Sequence, residues 1–224
     1  MPLTLHYHPL SSYCWKVLIA LAENGSPYEG LIVNLGDPAA RLAYADLWPT
    51  AKIPLLVDRD RVIPETSIQI EYLDRHHPGA DRLLPDDFDA ALEVRLWDRL
   101  FDLYVMEPMG RYIAQLLRPE AQRDPLAMAA SVDALGMAYD MIEARMGPHT
   151  WAASDHFSMA DCAAAPALFY AVIVRPLSPG HVRLAAYFER LLARPSVWRA
   201  IVQARPWFAY YPLRESLPKR FLND

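Results

Sequence analysis

Strand-like segments fill only the first third of this chain, and they stop at Pro78-Gly79. Before that point, short apolar or alternating runs are separated by stretches in which apolar residues recur at the spacing of one helix face. Predicted strands cover 3–7, 28–34, 55–57 and 61–63, and predicted helices cover 11–24, 39–47 and 66–77. An antiparallel hairpin at the third and fourth strands follows from the charged turn between them.

The resulting order, β-α-β-α-β-β-α, is the thioredoxin-like arrangement of a βαβ unit, a hairpin and a last helix. Every later periodic segment is helical, and Pro108 should interrupt the first of them. These segments cover 87–117, 125–146, 158–174, 181–193 and 196–204. The sequence therefore predicts an α/β thioredoxin-like N-terminal domain (1–79), a linker (80–86) and an all-α C-terminal domain (87–224) with an irregular tail.

Composition argues against several classes of partner. The net charge is −5 without a basic stripe, so we expect no nucleic acid partner. We find neither a secretory leader nor an apolar stretch of membrane-spanning length. The two cysteines, Cys14 and Cys162, favour a reducing, cytoplasmic setting. His6 and His8 share one side of a strand but lack a third ligand nearby, so we expect no metal.

The first chemical motif, Ser11-Ser12-Tyr13-Cys14, lies between the first predicted strand and the first predicted helix. Free N–H groups and the positive end of the helix dipole stabilise a thiolate at such a point. A dithiol oxidoreductase would have a cysteine where this chain has Ser11. A serine hydroxyl can donate a hydrogen bond to a thiolate but cannot form a mixed disulfide. The motif therefore favours activation of an external thiol.

Two further motifs follow the first. Ile53-Pro54, just before a predicted strand, is a candidate cis peptide bond that would let Ile53 pair with an extended peptide ligand. Glu65-Thr66 opens the last helix of the domain, where N–H groups can hold a carboxylate and Glu65 an ammonium. A γ-glutamyl group carries both charges. Thr66 and Gln69 should also form a capping box.

Together, these motifs resemble those of the glutathione S-transferase family, and the resemblance covers nearly the whole chain. The serine-type theta and zeta classes are the most similar. Ser11-x-x-Cys14 resembles the theta pattern, and Ser11-Ser12 followed by Trp15 resembles the zeta pattern.

The helical half adds one more similarity. Ser158 and Asp161 resemble the partners of the N-capping box in the helical domain of the family. The chain departs from the family at Trp48, where asparagine is usual, and at Ala51, where glycine is frequent. These departures bear on the shape of the pocket and on the class within the family.

The resemblance implies a role for each matching residue. Ser11 would be the catalytic hydroxyl, Ile53 would bind the cysteinyl backbone of glutathione, and Lys52 would lie near its glycyl carboxylate. Glu65 and Thr66 would bind the γ-glutamyl end. The implied glutathione-binding residues are thus Lys52, Ile53, Pro54, Glu65 and Thr66.

Other interpretations of these residues stay open. Ser11 and Ser12 could simply cap the first helix. Ser12 is an alternative catalytic hydroxyl, and so is Tyr7, because tyrosine-type classes place theirs at the end of the first strand. Cys14 is expected to pack inside. By resemblance, the second substrate would lie near the Pro108 interruption, although these side chains could equally be helix core: Tyr104, Met106, Met109 and Tyr112.

The expected function is that of a cytoplasmic detoxification transferase. It would activate the thiol of glutathione, its co-substrate, for attack on a small hydrophobic electrophile or a peroxide, and by resemblance it would be a homodimer. Two alternatives remain. One is a catalytically silent interaction or regulatory protein with this fold. The other is a zeta-like isomerase that uses glutathione as a cofactor.

Overall fold

The computed structural model describes residues 3–222, and the outermost residues of the predicted domains, 1–2 and 223–224, lie outside that range. The strands are β1 (Leu3–Tyr7), β2 (Tyr28–Ile32), β3 (Leu55–Asp58) and β4 (Arg61–Ile63). They form one mixed sheet in the order β2-β1-β3-β4. β1 is parallel to β2, whereas β3 is antiparallel to both β1 and β4.

Three helices complete the N-terminal part: α1 (Ser12–Glu23), α2 (Pro38–Leu47) and α3 (Thr66–His76). Helix α2 begins as its sequence predicts, since the Asp37 carboxylate accepts a hydrogen bond from the Ala39 N–H and Pro38 occupies the first helical turn. The predicted β-α-β-α-β-β-α order is therefore confirmed. The position of the linker at 80–86 stays a prediction.

The remaining described elements are all helical, as predicted, and short 3₁₀ turns follow the last helix. The helices are α4 (Phe88–Leu100), α5 (Glu107–Leu116), α6 (Pro125–Arg145), α7 (Met159–Val174), α8 (Val182–Leu192) and α9 (Pro195–Ala204), with a π-helical turn (Phe101–Met106) between α4 and α5.

The interruption predicted at Pro108 takes the form of this π-helical turn, which ends just before the proline. Proline has no N–H for the carbonyl four residues earlier, so the backbone around that carbonyl rearranges. A π turn holds more residues than an α turn. Side chains after the turn therefore point in directions that a continuous α-helix would not give.

Helix α7 lies at the centre of a core that both parts of the chain share. Its run of buried alanines lets neighbouring helices approach closely. Trp15 of α1 packs against Phe169 and Tyr170 of α7, with ring centroids 4.8 and 5.2 Å apart. The Trp15 indole N–H donates to the Pro9 carbonyl at 2.6 Å. Contacts with both the helical part and the turn after β1 thus fix α1.

The N-capping box predicted at Ser158 and Asp161 is present at the start of α7. The buried Asp161 carboxylate accepts hydrogen bonds from the Ser158 N–H at 2.9 Å and from the Ser158 hydroxyl at 3.1 Å. It also accepts from the Ala152 N–H at 3.0 Å and from the Tyr187 hydroxyl at 2.6 Å. One carboxylate therefore joins α7 to the preceding loop and to α8.

We expect Asp161→Ala to lower the free energy of unfolding by about 3–5 kcal/mol, because it leaves several buried donors unpaired. The matched control is Asp124→Ala at the exposed start of α6, where the carboxylate caps the N–H groups of Leu126 and Ala127. That change should cost about 1 kcal/mol. Urea denaturation measures both. Equal losses would mean that Asp161 contributes no more than an ordinary cap.

Candidate functional site

A cleft of about 410 Å³ lies between α1, the start of α3 and the π-helical turn. The loop before β3 and the residues before α3 supply one wall. All five residues that the sequence assigns to glutathione binding line this cleft: Lys52, Ile53, Pro54, Glu65 and Thr66. The structure therefore brings the second and third sequence motifs together.

One buried amide holds the loop before β3. The Ile53-Pro54 bond is cis, as predicted. Gln69 of α3 donates from its side-chain nitrogen to the carbonyls of Pro54 at 2.9 Å and Ile63 at 3.0 Å. The predicted capping box of Thr66 and Gln69 is therefore wrong, because the Gln69 amide faces the sheet instead of the helix start. The same contact ties the loop with Ile53 to the helix that begins at Thr66.

Glu65, immediately before α3, has a φ of 64°. This conformation costs a residue other than glycine about 1–3 kcal/mol and is concentrated at functional sites. The Glu65 side chain does not cap α3, so the first N–H groups of the helix remain available to an anionic ligand. A carboxylate beside a helix N-terminus matches the ammonium and carboxylate of an amino-acid end group.

Ser11 is the N-cap of α1, and its Oγ accepts a hydrogen bond from the Cys14 N–H at 3.3 Å. The capping interpretation is thus correct, but it leaves the hydroxyl hydrogen available for a bound sulfur. Ser11 lines two further cavities, of about 350 and 220 Å³, and the larger shares Leu35 and Ile53 with the cleft. Because these three spaces are adjacent and share lining residues, we call them together the groove. Ser12 lines the smallest of them.

Cys14 lies inside the core, as predicted. Burial raises the pKa of its thiol to about 12, although hydrogen bonds with the Ser11 side chain and the His8 N–H oppose the shift. The thiol is therefore protonated at neutral pH and is a poor nucleophile. This supports the interpretation that the reactive sulfur of the site comes from a ligand.

Tyr7, the other alternative hydroxyl, is buried at the end of β1 and lines none of the three spaces of the groove. Its hydroxyl accepts a hydrogen bond from the side-chain nitrogen of Gln203 in α9 at 3.4 Å. Burial raises the pKa of Tyr7, and the nearby Tyr28 and Cys14 add to the shift. Its hydroxyl thus faces α9, whereas Ser11 and Ser12 face the groove.

The predicted second-substrate residues separate in the structure. Met109 lines the groove, whereas Met106 is buried without lining it, and Tyr104 and Tyr112 also lie outside it. Other apolar side chains line the two cavities that contain Ser11, and the last three of them come from the tail: Leu10, Ile113, Leu117, Tyr210, Tyr211 and Pro212. Met109, Ile113 and Leu117 are four residues apart and share one face of α5. From the predicted Met109, this periodicity could have identified Ile113 and Leu117.

Sequence reasoning also missed the apolar Leu35 and three polar residues of the cleft: Tyr13, Arg99 and Asp102. The Arg99 guanidinium lies 3.1 Å from Asp102 Oδ2. Burial raises the pKa of Asp102, while nearby cations oppose the shift. Burial, with Asp102 adding to it, raises the pKa of Tyr13 to about 12, so its hydroxyl is a donor at neutral pH. With Lys52 and Glu65, the cleft offers two cations and two carboxylates, which suits a zwitterionic peptide.

Within residues 3–222, no helix is both long and apolar enough to cross a bilayer. The same residues contain no group of three or more histidine, cysteine or acidic side chains arranged to hold a metal ion.

The chain matches family models along both parts of the fold. Residues 5–81 match the N-terminal domain of glutathione S-transferase, and residues 125–190 match its C-terminal domain. Glutathione S-transferase 3 of Zea mays is 30% identical over 89% of this chain and 93% of its own length. The chain therefore belongs to the glutathione S-transferase family.

Two other proteins are similar to this chain over most of its length. A stringent starvation protein A homolog of Haemophilus ducreyi is 28% identical over 87% of both chains. The crystal structure of a glutathione S-transferase from Methylobacillus flagellatus KT, with glutathione (GSH) bound, superposes with a TM-score of 0.80. It is 26% identical and covers 88% of this chain and 98% of its own. These matches do not single out the theta or zeta class.

We expect Glu65→Gly to raise the free energy of unfolding by about 1 kcal/mol, because glycine accepts the positive φ without strain. The same change should weaken glutathione binding, since it removes a carboxylate from the cleft. The matched control is Arg59→Gly in the turn between β3 and β4, where φ is 59° and no cleft residue is altered. Urea denaturation and calorimetry measure the two effects. Unchanged glutathione binding by the Glu65→Gly variant would contradict the assignment of Glu65 to the glutathione site.

Proposed function

We propose that this chain is a glutathione transferase that uses Ser11 to activate the glutathione thiol for attack on a small hydrophobic electrophile or a peroxide. The observation that carries the proposal is that the charged cleft and the cavity with Ser11 are adjacent, since Ile53 lines both. A tripeptide paired with Ile53 would extend its charged end into the cleft and its cysteine towards Ser11. Family membership supports the same ligand.

The charges of the cleft account for the ends of the tripeptide. The γ-glutamyl carboxylate would accept hydrogen bonds from the N-terminal N–H groups of α3, at Thr66. The γ-glutamyl ammonium would lie between the carboxylates of Glu65 and Asp102. Lys52, which is exposed in the loop before β3, would pair with the glycyl carboxylate. Charge-assisted contacts of this kind are stronger than neutral hydrogen bonds.

The chemistry then follows from the start of α1. A free thiol has a pKa of about 8.5, and lowering it by about two units stabilises the thiolate by roughly 2.7 kcal/mol. The Ser11 hydroxyl and the dipole of α1 both act in that direction. The thiolate attacks an electrophilic carbon, and the leaving group departs with the electron pair of the broken bond. The apolar wall formed by α5 and the tail would hold the hydrophobic partner.

A second candidate function is a regulatory role without catalysis. The similarity to a stringent starvation protein A homolog over most of both chains favours it. On that alternative the cleft would be a remnant of the fold, and its charged residues would bind glutathione weakly or not at all.

We also propose that the protein forms a homodimer in the cytoplasm. Four large apolar side chains lie along α4 and the π-helical turn and are 46–69% exposed: Phe88, Leu92, Leu96 and Leu103. An apolar stripe of this kind is typical of a surface that another protein covers. A second copy of the chain is the partner that the family suggests.

The proposed function predicts saturable binding of glutathione below the millimolar range in isothermal calorimetry. It also predicts that Ser11→Ala raises the pKa of the bound thiol by about one unit or more, because a donor to the thiolate is lost. Ultraviolet absorbance of the thiolate against pH gives that pKa. Absence of binding at several millimolar glutathione would instead favour the regulatory alternative.

Three control variants separate the candidate hydroxyls in the same titration. Ser11→Thr keeps both the hydroxyl and the cap and should retain most of the effect. Ser12→Ala and Tyr7→Phe should leave the pKa of the bound thiol near the wild-type value. A shift in either of them, with none in Ser11→Ala, would transfer the catalytic role to that residue.

For the dimer, we expect Leu96→Glu to produce monomers in sedimentation velocity, because it buries a charge at the centre of the proposed interface. The control is Leu126→Glu on α6, where the side chain is 82% exposed and lies outside the stripe. That variant should remain dimeric. A wild-type monomer, or a dimer unaffected by the Leu96 change, would contradict the proposal.

A further inference from the structure

Lys16, in the second turn of α1, is completely buried. Its ammonium lies 2.6 Å from Asp98 Oδ1, 2.8 Å from Asp102 Oδ2 and 3.1 Å from Ser67 Oγ. An ammonium has three N–H donors, and three oxygens surround this one. A lysine is almost never fully buried unless such partners are present.

The contacts of Lys16 belong to a balanced network between the two parts of the chain. Ser67 of α3 donates to Asp98 Oδ2 of α4 at 2.5 Å, and Arg99 lies 3.1 Å from Asp102 Oδ2. Two cations thus face two carboxylates. Within this network, Lys16 connects its own helix, α1, to α3, α4 and the π-helical turn.

This network reaches the cleft at two places. Asp102 and Arg99 line the cleft, and Ser67 directly follows Thr66. The second oxygen of Asp102, Oδ1, is buried and accepts no hydrogen bond from the described residues. A buried carboxylate oxygen without a donor is costly, and a ligand ammonium at the cleft would supply donors.

An ion pair that joins the two parts of the chain does not by itself require a lysine at position 16. Arg194, at the start of α9, already forms a bidentate ion pair with Glu23 at the other end of α1. Its Nε and Nη2 each lie 2.7 Å from a carboxylate oxygen of Glu23. Neither Arg194 nor Glu23 lines the cleft. Of the two ion pairs of α1, the buried pair of Lys16 therefore includes a residue of the ligand site, whereas the partly exposed pair of Arg194 does not.

We propose that Lys16 is a positioning residue of the glutathione site, which holds the Asp102 carboxylate in place to receive the γ-glutamyl ammonium. The inference rests on the proposed function, because it assigns a ligand group to Asp102. Without Lys16, the buried carboxylate of Asp102 would lose its main opposing charge. Burial already raises the pKa of this group, so it would take up a proton or rotate towards Arg99, and it would no longer attract an ammonium.

The test compares two ligands by calorimetry: glutathione and the analogue of glutathione that lacks the α-amino group. Wild-type protein should prefer glutathione by about tenfold or more, as expected for a charge-assisted hydrogen bond. Lys16→Met should bring the two affinities within about threefold of each other, whereas the control Arg194→Met should keep the wild-type preference. A merely structural loss would weaken both ligands equally and leave the preference unchanged.

A second variant keeps the test valid if Lys16→Met fails to fold. Lys16→Met/Asp98→Asn removes one buried charge of each sign, and we expect it to fold and to lose the preference as well. Retention of the preference by a folded Lys16 variant would overturn the inference while leaving the proposed function intact. Absence of glutathione binding in the wild-type protein would overturn both.

Discussion

The packing of α1 against α7 is the contact on which the geometry of the molecule depends. Trp15 packs on two aromatic rings of α7, and the alanine-rich run of α7 lets the helices approach closely. The next residue of α1, Lys16, is surrounded by oxygens of three other elements. The residue that begins this helix, Ser11, faces the groove. Apolar packing thus brings α1 to the helical part, and the buried charges fix its position there.

The sequence predicted those parts of the site that lie in short contiguous segments. Ile53-Pro54 and Glu65-Thr66 each combine a local backbone signal with side chains of suitable chemistry, and both line the cleft. Gln69 marks the limit of this reasoning. It has the spacing of a capping residue, but its amide faces inwards and satisfies two carbonyls of the sheet region. Spacing along a helix does not tell which of two nearby sets of backbone groups a side chain will meet.

The rest of the site could not be predicted, because it depends on how distant segments pack. Arg99 and Asp102 reach the cleft from the helical part, and no local motif marks them. The π-helical turn changes the phase of the helix, so Tyr104 and Tyr112 lie outside the groove while Met109 lines it. The tail has no periodicity, yet Tyr210 and Tyr211 form part of the wall. A helical wheel drawn through Pro108 therefore selects the wrong face.

Several unfavourable features coincide at the cleft. Glu65 has a positive φ, α3 begins without a side-chain cap from the preceding residue, and Asp102 keeps a buried oxygen without a donor among the described residues. Each of these is destabilising, and single substitutions could remove each one. Elsewhere, Asp37 caps the start of α2, and the buried Asp161 carboxylate accepts several hydrogen bonds. The coincidence of three such features in one cleft is typical of a ligand site, and it supports a binding function over a purely structural use of the fold.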